Sequence, residues 1–145
     1  MPFTVAIARK LALAYAAACK PLCGRLGLSR TAFDILMFLG NNPAYKTASE
    51  IVEIRGIKAN LVSANVERLV QDGYLVRRPV RDDRRKVELL CTERARPIIA
   101  QGRRAQRQFS DRLFANMDDD TRAAFSKAMT IMEENLNEML ETGGK

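Results

Sequence analysis

Residues 58–91 read KANLVSANVERLVQDGYLVRRPVRDDRRKVELLC, and this stretch decides the fold. Val62, Val66, Leu69 and Val70 fall at i, i+4, i+7 and i+8, the spacing of a helix with one buried face. Asn60, Ser63, Ala64 and Glu67 lie opposite, a surface of short and polar side chains near the helix start. Gly73 ends the helix. Leu75 to Arg78 and Val87 to Leu90 then read as two short strands. Their connection, Pro79 to Lys86, carries Arg81, Asp82, Asp83, Arg84, Arg85 and Lys86.

Immediately upstream, Thr47-Ala48-Ser49-Glu50 is a capping box, in which hydroxyl and carboxylate each satisfy an orphan backbone donor. A short helix through about Ile54 follows, and Gly56 turns the chain into the helix that begins near Lys58. Two helices joined by a tight Gly-containing turn form a helix-turn-helix candidate. A hairpin with a basic tip directly behind the second helix is the wing of a winged helix. Phosphates attract its Arg and Lys charge, and a narrow minor groove accepts an inserted Arg. An Asp beside that Arg is expected to hold the guanidinium in one orientation.

The remaining chain reads as helical scaffold. Thr4 to about Cys23 is apolar nearly all round, so this helix needs cover on more than one side. Pro21 is expected to kink or end it, and Gly24 and Gly27 mark its exit. Ser29 caps a second helix with Phe33, Leu36, Met37 and Gly40 on one face, stopped by Gly40-Asn41-Asn42-Pro43. Thr92 is expected to cap a fifth helix, perturbed near Pro97, running to about Met117. Asp118 caps a last one with an apolar stripe of Phe125, Met129, Met132, Leu136, Met139 and Leu140. The fold class is therefore mainly α with a small β-hairpin wing. One domain is expected over 1–145, with a winged helix-turn-helix lobe at 29–91 and helical dimerisation regions at 1–28 and 92–145.

The formal net charge is +7, and residues 77–107 hold eleven Lys or Arg against four Asp or Glu, so the rest of the chain sums to zero. Charge concentrated in one segment points to an anionic partner, nucleic acid above all. The chain contains no histidine, which removes the usual general base and the Ser-His and Cys-His nucleophile pairs. No enzyme, cofactor or metal site is expected. Arg9-Lys10 followed by LALAYAAAC resembles a signal-peptide core, and its apolar run is within the range of such a core though far shorter than the roughly 20 residues that span a bilayer. The buried helix is the preferred reading of the same residues, and a cytoplasmic protein without a membrane partner is expected.

The chain resembles the MarR family of bacterial winged helix-turn-helix regulators. The resemblance rests on Asp83-Arg84-Arg85-Lys86-Val87-Glu88-Leu89-Leu90-Cys91-Thr92-Glu93 in the wing. Leu28-Ser29, Thr47-Ala48-Ser49-Glu50-Ile51, Arg68-Leu69 and Gly73-Tyr74-Leu75 upstream also fit. It implies a homodimeric double-stranded DNA-binding repressor on a near-palindromic operator. Arg85 would enter the minor groove, oriented by Asp83, with Arg81, Arg84 and Lys86 adding phosphate contacts. The helix from Lys58 would lie in the major groove. There the chain departs from the family, with Lys58, Leu61 and Ala64 where Ser, Thr and Arg are frequent. Asn60, Ser63, Asn65 and Arg68 become the better base-reading candidates, and Leu61 suits a thymine methyl group.

The family's regulation implies two further sites. Tyr15, Phe33, Met37 and Phe38 are candidates to line a pocket for a small aromatic effector, although they read equally as core. Cys19 and Cys23 are redox candidates, since some members sense oxidants through a cysteine in the first helix and Lys20 nearby favours a thiolate. Small-residue packing is the competing reading of both. A helical dimeric interaction protein without DNA binding is the alternative outside this family.

Overall fold

The computed structural model describes residues 5–143 and forms two compact units, Met1–Phe109 and Ser110–Lys145. The division falls inside the region expected to supply dimerisation helices. Six helices and one hairpin follow in the order α1 (Val5–Leu26), α2 (Arg30–Asn41), α3 (Ala48–Arg55), α4 (Ala59–Gln71), β1 (Leu75–Val80), β2 (Asp83–Cys91), α5 (Arg96–Leu113) and α6 (Asp119–Thr142). The mainly helical fold with a two-stranded wing is thus present as expected. No helix among the described residues is long and apolar enough to cross a membrane.

The second helix, α2, is the centre of the first unit. Ser29 caps it by accepting from the Ala32 amide at 3.0 Å. Ala32, Phe33, Ile35, Leu36, Met37, Phe38 and Leu39 are all buried, so α2 is enclosed nearly all round rather than on the one face that its spacing indicates. Two glycines explain how closely α5 approaches it. A Cβ on Gly102 would collide with the Met37 sulfur, and one on Gly40 would meet the Ile99 side chain at 2.9 Å.

The apolar first helix behaves in the opposite way. Only Cys19, Leu22 and Cys23 of α1 are buried, while Val5, Ile7, Leu11 and Leu13 are exposed. Pro21 does not end it: α1 continues to Leu26, because the turn beyond the proline is held by buried Leu22 and Cys23. The end comes at Gly27, whose left-handed φ of 65° lets the Gly27 and Leu28 amides donate back to the Gly24 and Cys23 carbonyls. Thr4, the expected start, lies outside the described residues.

Between α2 and α4 the local signals hold. Thr47 and Glu50 form the capping box of α3, and Gly56 closes it with φ of 65°. Thr47 hydroxyl and Lys46 backbone hydrogen bonds to the Glu50 carboxylate keep it below its ordinary pKa. Val62, Val66 and Leu69 anchor α4 in the core, with Val70 half-buried. Gly73, at φ of 82°, then turns the chain into the hairpin.

The hairpin strands are longer than expected, since Pro79–Val80 belongs to β1 and Asp83–Lys86 to β2. Pro79 pairs with Val87 and Val80 with Asp83, so one step on β1 faces four on β2. Arg84, Arg85 and Lys86 are the residues of this bulge. Proline cannot donate to a ladder, which favours an irregularity beside Pro79. The Leu89 amide donates to the Lys46 carbonyl at 2.7 Å, fastening the wing to the segment before α3.

Beyond the wing, Thr92 does not cap α5 directly. Its hydroxyl donates to the Gly73 carbonyl at 2.6 Å, and a 3₁₀ turn over Glu93–Ala95 leads into α5. Pro97 therefore sits in the first turn of α5, where a missing amide proton costs no helical hydrogen bond. The helix stops at Leu113, short of Met117, and Asn116 takes a left-handed φ of 68°. In the second unit, the Asp118 carboxylate accepts from the Thr121 amide and caps α6. Phe125, Met129, Ile131, Leu136, Met139 and Leu140 are exposed, and Met132 is half-buried.

Candidate nucleic-acid interface

The outward face of α4 is built by subtraction from its core line. Lys58, Asn60, Leu61, Ser63, Ala64 and Arg68 are exposed, Leu61 at 44%. Lys58 is the N-cap residue and makes no side-chain capping bond, and the first turn has no acidic residue. The first amides of α4 are thus free of competing carboxylate, an arrangement compatible with a phosphate.

Asn65, expected among the base readers, is otherwise engaged. Its amide nitrogen donates to the Leu61 carbonyl at 2.8 Å, and its amide oxygen accepts from the Ser29 hydroxyl at 2.8 Å. Sequence spacing cannot find this partner, which lies 36 positions away. Asn65 therefore links α4 to the start of α2. Arg68, another candidate, lies 3.8 Å from Asp72 in the last turn.

Asp83 acts on Arg85 differently from the expected ion pair. Its carboxylate accepts from the Arg85 backbone amide at 3.0 Å, so it shapes the bulge rather than holding the guanidinium. Arg81, Arg84, Arg85 and Lys86 are exposed and take part in no ion pair among the described residues. Five other cations in the basic segment are engaged, while Arg104 and Arg107 on α5 are exposed. Arg77 pairs with Glu67 of α4 at 2.7 Å, and Arg78 pairs across the hairpin with Glu88 at 2.8 Å, which keeps that carboxyl below its usual pKa. Arg94 stacks on Tyr74, Arg96 pairs with Glu93, and Arg103 donates to the Gly40 carbonyl and the Asn41 side chain. Four adjacent cations without an ion pair among the described residues, Arg81, Arg84, Arg85 and Lys86, thus gather at the wing.

A cavity of about 170 Å³ in the first unit is lined by Tyr15, Asp34, Met37, Phe38, Asn41, Asn42, Arg55 and Gln106. Three of the four expected pocket residues line it, and Phe33 is wholly buried in the core instead. The polar lining was not read from the sequence, although the i,i+4 spacing of Arg30 and Asp34 was a signal for their 2.8 Å pair. Asp34 also meets Arg55 at 3.5 Å, Arg30 lies over the Tyr15 ring, and Gln106 donates to the Tyr15 hydroxyl. Burial raises the Tyr15 pKa and keeps the phenol protonated.

Cys19 and Cys23 are buried, and desolvation pushes both thiols above their ordinary pKa. Lys20 is exposed and does not offset this shift, contrary to the expectation of an activated thiolate. Cys91 is also raised by burial. Among the described residues, no group of three or more His, Cys, Asp or Glu side chains is placed to hold a metal ion.

Residues 26–86 match the family model described as MarR family, a span holding α2 through the wing tip. The structure is similar to a MarR transcriptional regulator from Methanosarcina mazei Go1, with a TM-score of 0.75, 19% identity, and 94% of this chain and 99% of that one covered. A putative MarR family regulator from Listeria monocytogenes, complexed with 26mer DNA, gives a TM-score of 0.76 at 17% identity, covering 97% and 92%. An organohalide-sensing regulator in its 2,4-dichlorophenol-bound form gives 0.65 at 21% identity, covering 90% and 77%. At these identities the shared feature is the fold. Curated proteins provide no match.

Proposed function

We propose that this chain is a transcriptional regulator of the MarR type that binds double-stranded DNA as a homodimer. The observation that carries the reading is the pairing of an exposed, short-chained face on α4 with a bulge that presents Arg84, Arg85 and Lys86, none of them in an ion pair among the described residues. The helix would supply major-groove position, and the wing would supply minor-groove and phosphate contacts. Arg85 is the inserting residue, because Asp83 fixes the backbone from which it projects.

Two exposed apolar surfaces support a dimer. Val5, Ile7, Leu11 and Leu13 on α1 are exposed in the first unit, and Leu136, Met139 and Leu140 on α6 in the second. A second copy would cover them, and two-fold symmetry would set two recognition helices about 10 bp apart on a near-palindromic site. Bound across a promoter, such a dimer represses. The cavity beside Tyr15 and Phe38 supports release by a small aromatic effector, with Arg55, Asn41, Asn42 and Gln106 in its lining able to bond a polar substituent.

Binding to labelled duplex across a salt series tests the reading. Neutralising 6 to 10 phosphates lowers affinity about 10³- to 10⁵-fold between 50 and 200 mM salt. An absence of duplex binding at low salt would leave only a helical interaction protein.

A further inference from the structure

We infer that α4 reads A·T base pairs through Asn60, Leu61 and Ala64, with thymine methyl groups as its main apolar contact; this rests on the DNA-binding reading above. Val62, Val66 and Leu69 define the buried line of the helix. At 100° per residue, Asn60 and Ala64 fall on the line directly opposite, and Leu61 lies beside them. All three belong to the amino-terminal half, which is the part of a recognition helix that meets base edges.

Of the groups able to read G·C pairs, the carboxylate is engaged and the two cations lie at the ends of the helix. A guanine edge is read best by Arg or Lys, and cytosine offers its amino group to a carboxylate. Glu67, the acidic residue on this face, accepts from Arg77 at 2.7 Å and from Gln71 at 3.4 Å. Arg68 lies in the last turn beside Asp72. Lys58 is the exposed N-cap residue, outside the helix itself, and its charge at the free first amides of α4 suits a phosphate rather than a base edge. Asn65 is tied to Ser29 and Leu61. What remains is an amide suited to adenine, a leucine 44% exposed, a small methyl side chain that permits close approach, and Ser63, which accepts either pair.

The test begins with selection of bound sequences from a random duplex pool. Each thymine of the selected half-site is then replaced singly by deoxyuridine, which removes only the methyl group. Binding is measured for the wild type and for Leu61→Ala, a substitution at an exposed position that leaves the core intact. The expected result is a half-site centre of A·T pairs with at least one thymine whose demethylation weakens wild-type binding about fourfold, the ratio for one buried methyl-sized group. The same replacement should leave Leu61→Ala binding unchanged. Duplex binding with invariant G·C pairs at the half-site centre, or with every deoxyuridine duplex bound as tightly as its thymine parent, overturns the inference while leaving the regulator reading intact. Absence of any salt-dependent duplex binding overturns both.

Discussion

The Ser29 hydroxyl donates to the Asn65 amide oxygen at 2.8 Å while accepting the Ala32 amide proton at 3.0 Å. One side chain thus caps α2 and anchors α4. The candidate recognition helix is positioned by the helix at the centre of the core, and not only by its own apolar stripe.

Replacing Asn65 with alanine removes this link and should lower stability by about 1 kcal/mol, the net value of a typical hydrogen bond. Duplex binding should weaken to a similar extent for every sequence. Asn60→Ala, at an exposed position, should leave the melting temperature unchanged and relax preference at an adenine. Melting curves and binding to a panel of single-base variants separate the two.

Arg85→Ala should weaken duplex binding by about 1 to 3 kcal/mol, while Arg112→Ala, in the last turn of α5, should do little. Asp83→Ala should also weaken binding, because the Arg85 amide loses the carboxylate that shapes the bulge. Equal losses from Arg85→Ala and Arg112→Ala would show that the wing is misassigned.

Glu67 and Arg77 join α4 to β1 at 2.7 Å across an exposed surface. Such pairs contribute about 0.2 to 1 kcal/mol to stability. Their expected role is to hold the angle between helix and wing. Glu67→Arg should reduce duplex binding, and the swapped Glu67→Arg, Arg77→Glu pair should restore part of it. A double-mutant cycle showing no coupling in the binding energy would rule out this role.

Gly102→Ala should destabilise the protein by about 1 to 3 kcal/mol, the usual cost of overpacking, because the added Cβ meets the Met37 sulfur. Met37→Val beside it should recover part of the loss. Denaturant midpoints of the single and double variants provide the measurement, and additive losses would exclude a direct clash.

Glu50, Glu88 and Asp118 all have carboxyls below their ordinary values of 4.5, 4.5 and 3.8, each lowered chiefly by a side-chain hydrogen bond, from Thr47, Arg78 and Thr121 respectively. A depressed folded-state pKa contributes stability above the unfolded value, lost as pH falls through the folded one. The melting temperature should therefore drop as pH is lowered through 4.5 and below 3.8. A Glu50→Gln, Glu88→Gln, Asp118→Asn variant should lose less across that range.

Much of this architecture was legible in local chemistry. Ser29, Thr47 with Glu50, and Asp118 announce helix starts because each cap closes within three residues. Gly27, Gly56 and Gly73 announce turns because their positive φ suits a residue without a side chain. The wing stood out because its charge, turn and alternating strand adjoin one another in sequence. Spacing alone misplaced features with distant causes. Pro21 sits within an unbroken helix, Arg84 to Lys86 belong to a bulged strand, and Asp83 holds a backbone amide.

The sequence by itself determined the order of elements, the basic hairpin and the candidate faces, all of which follow from contacts a few residues apart. Tertiary structure alone decided which of the candidate side chains remain free. Asn65 is engaged by a hydroxyl 36 residues away, Arg77 by a carboxylate on another element, and the cavity gathers residues from four helices. Those partners meet only when α2 is enclosed, because burial of its apolar surface brings distant polar groups within hydrogen-bond reach. Residue type proposes what a side chain can contact, and packing selects among the partners.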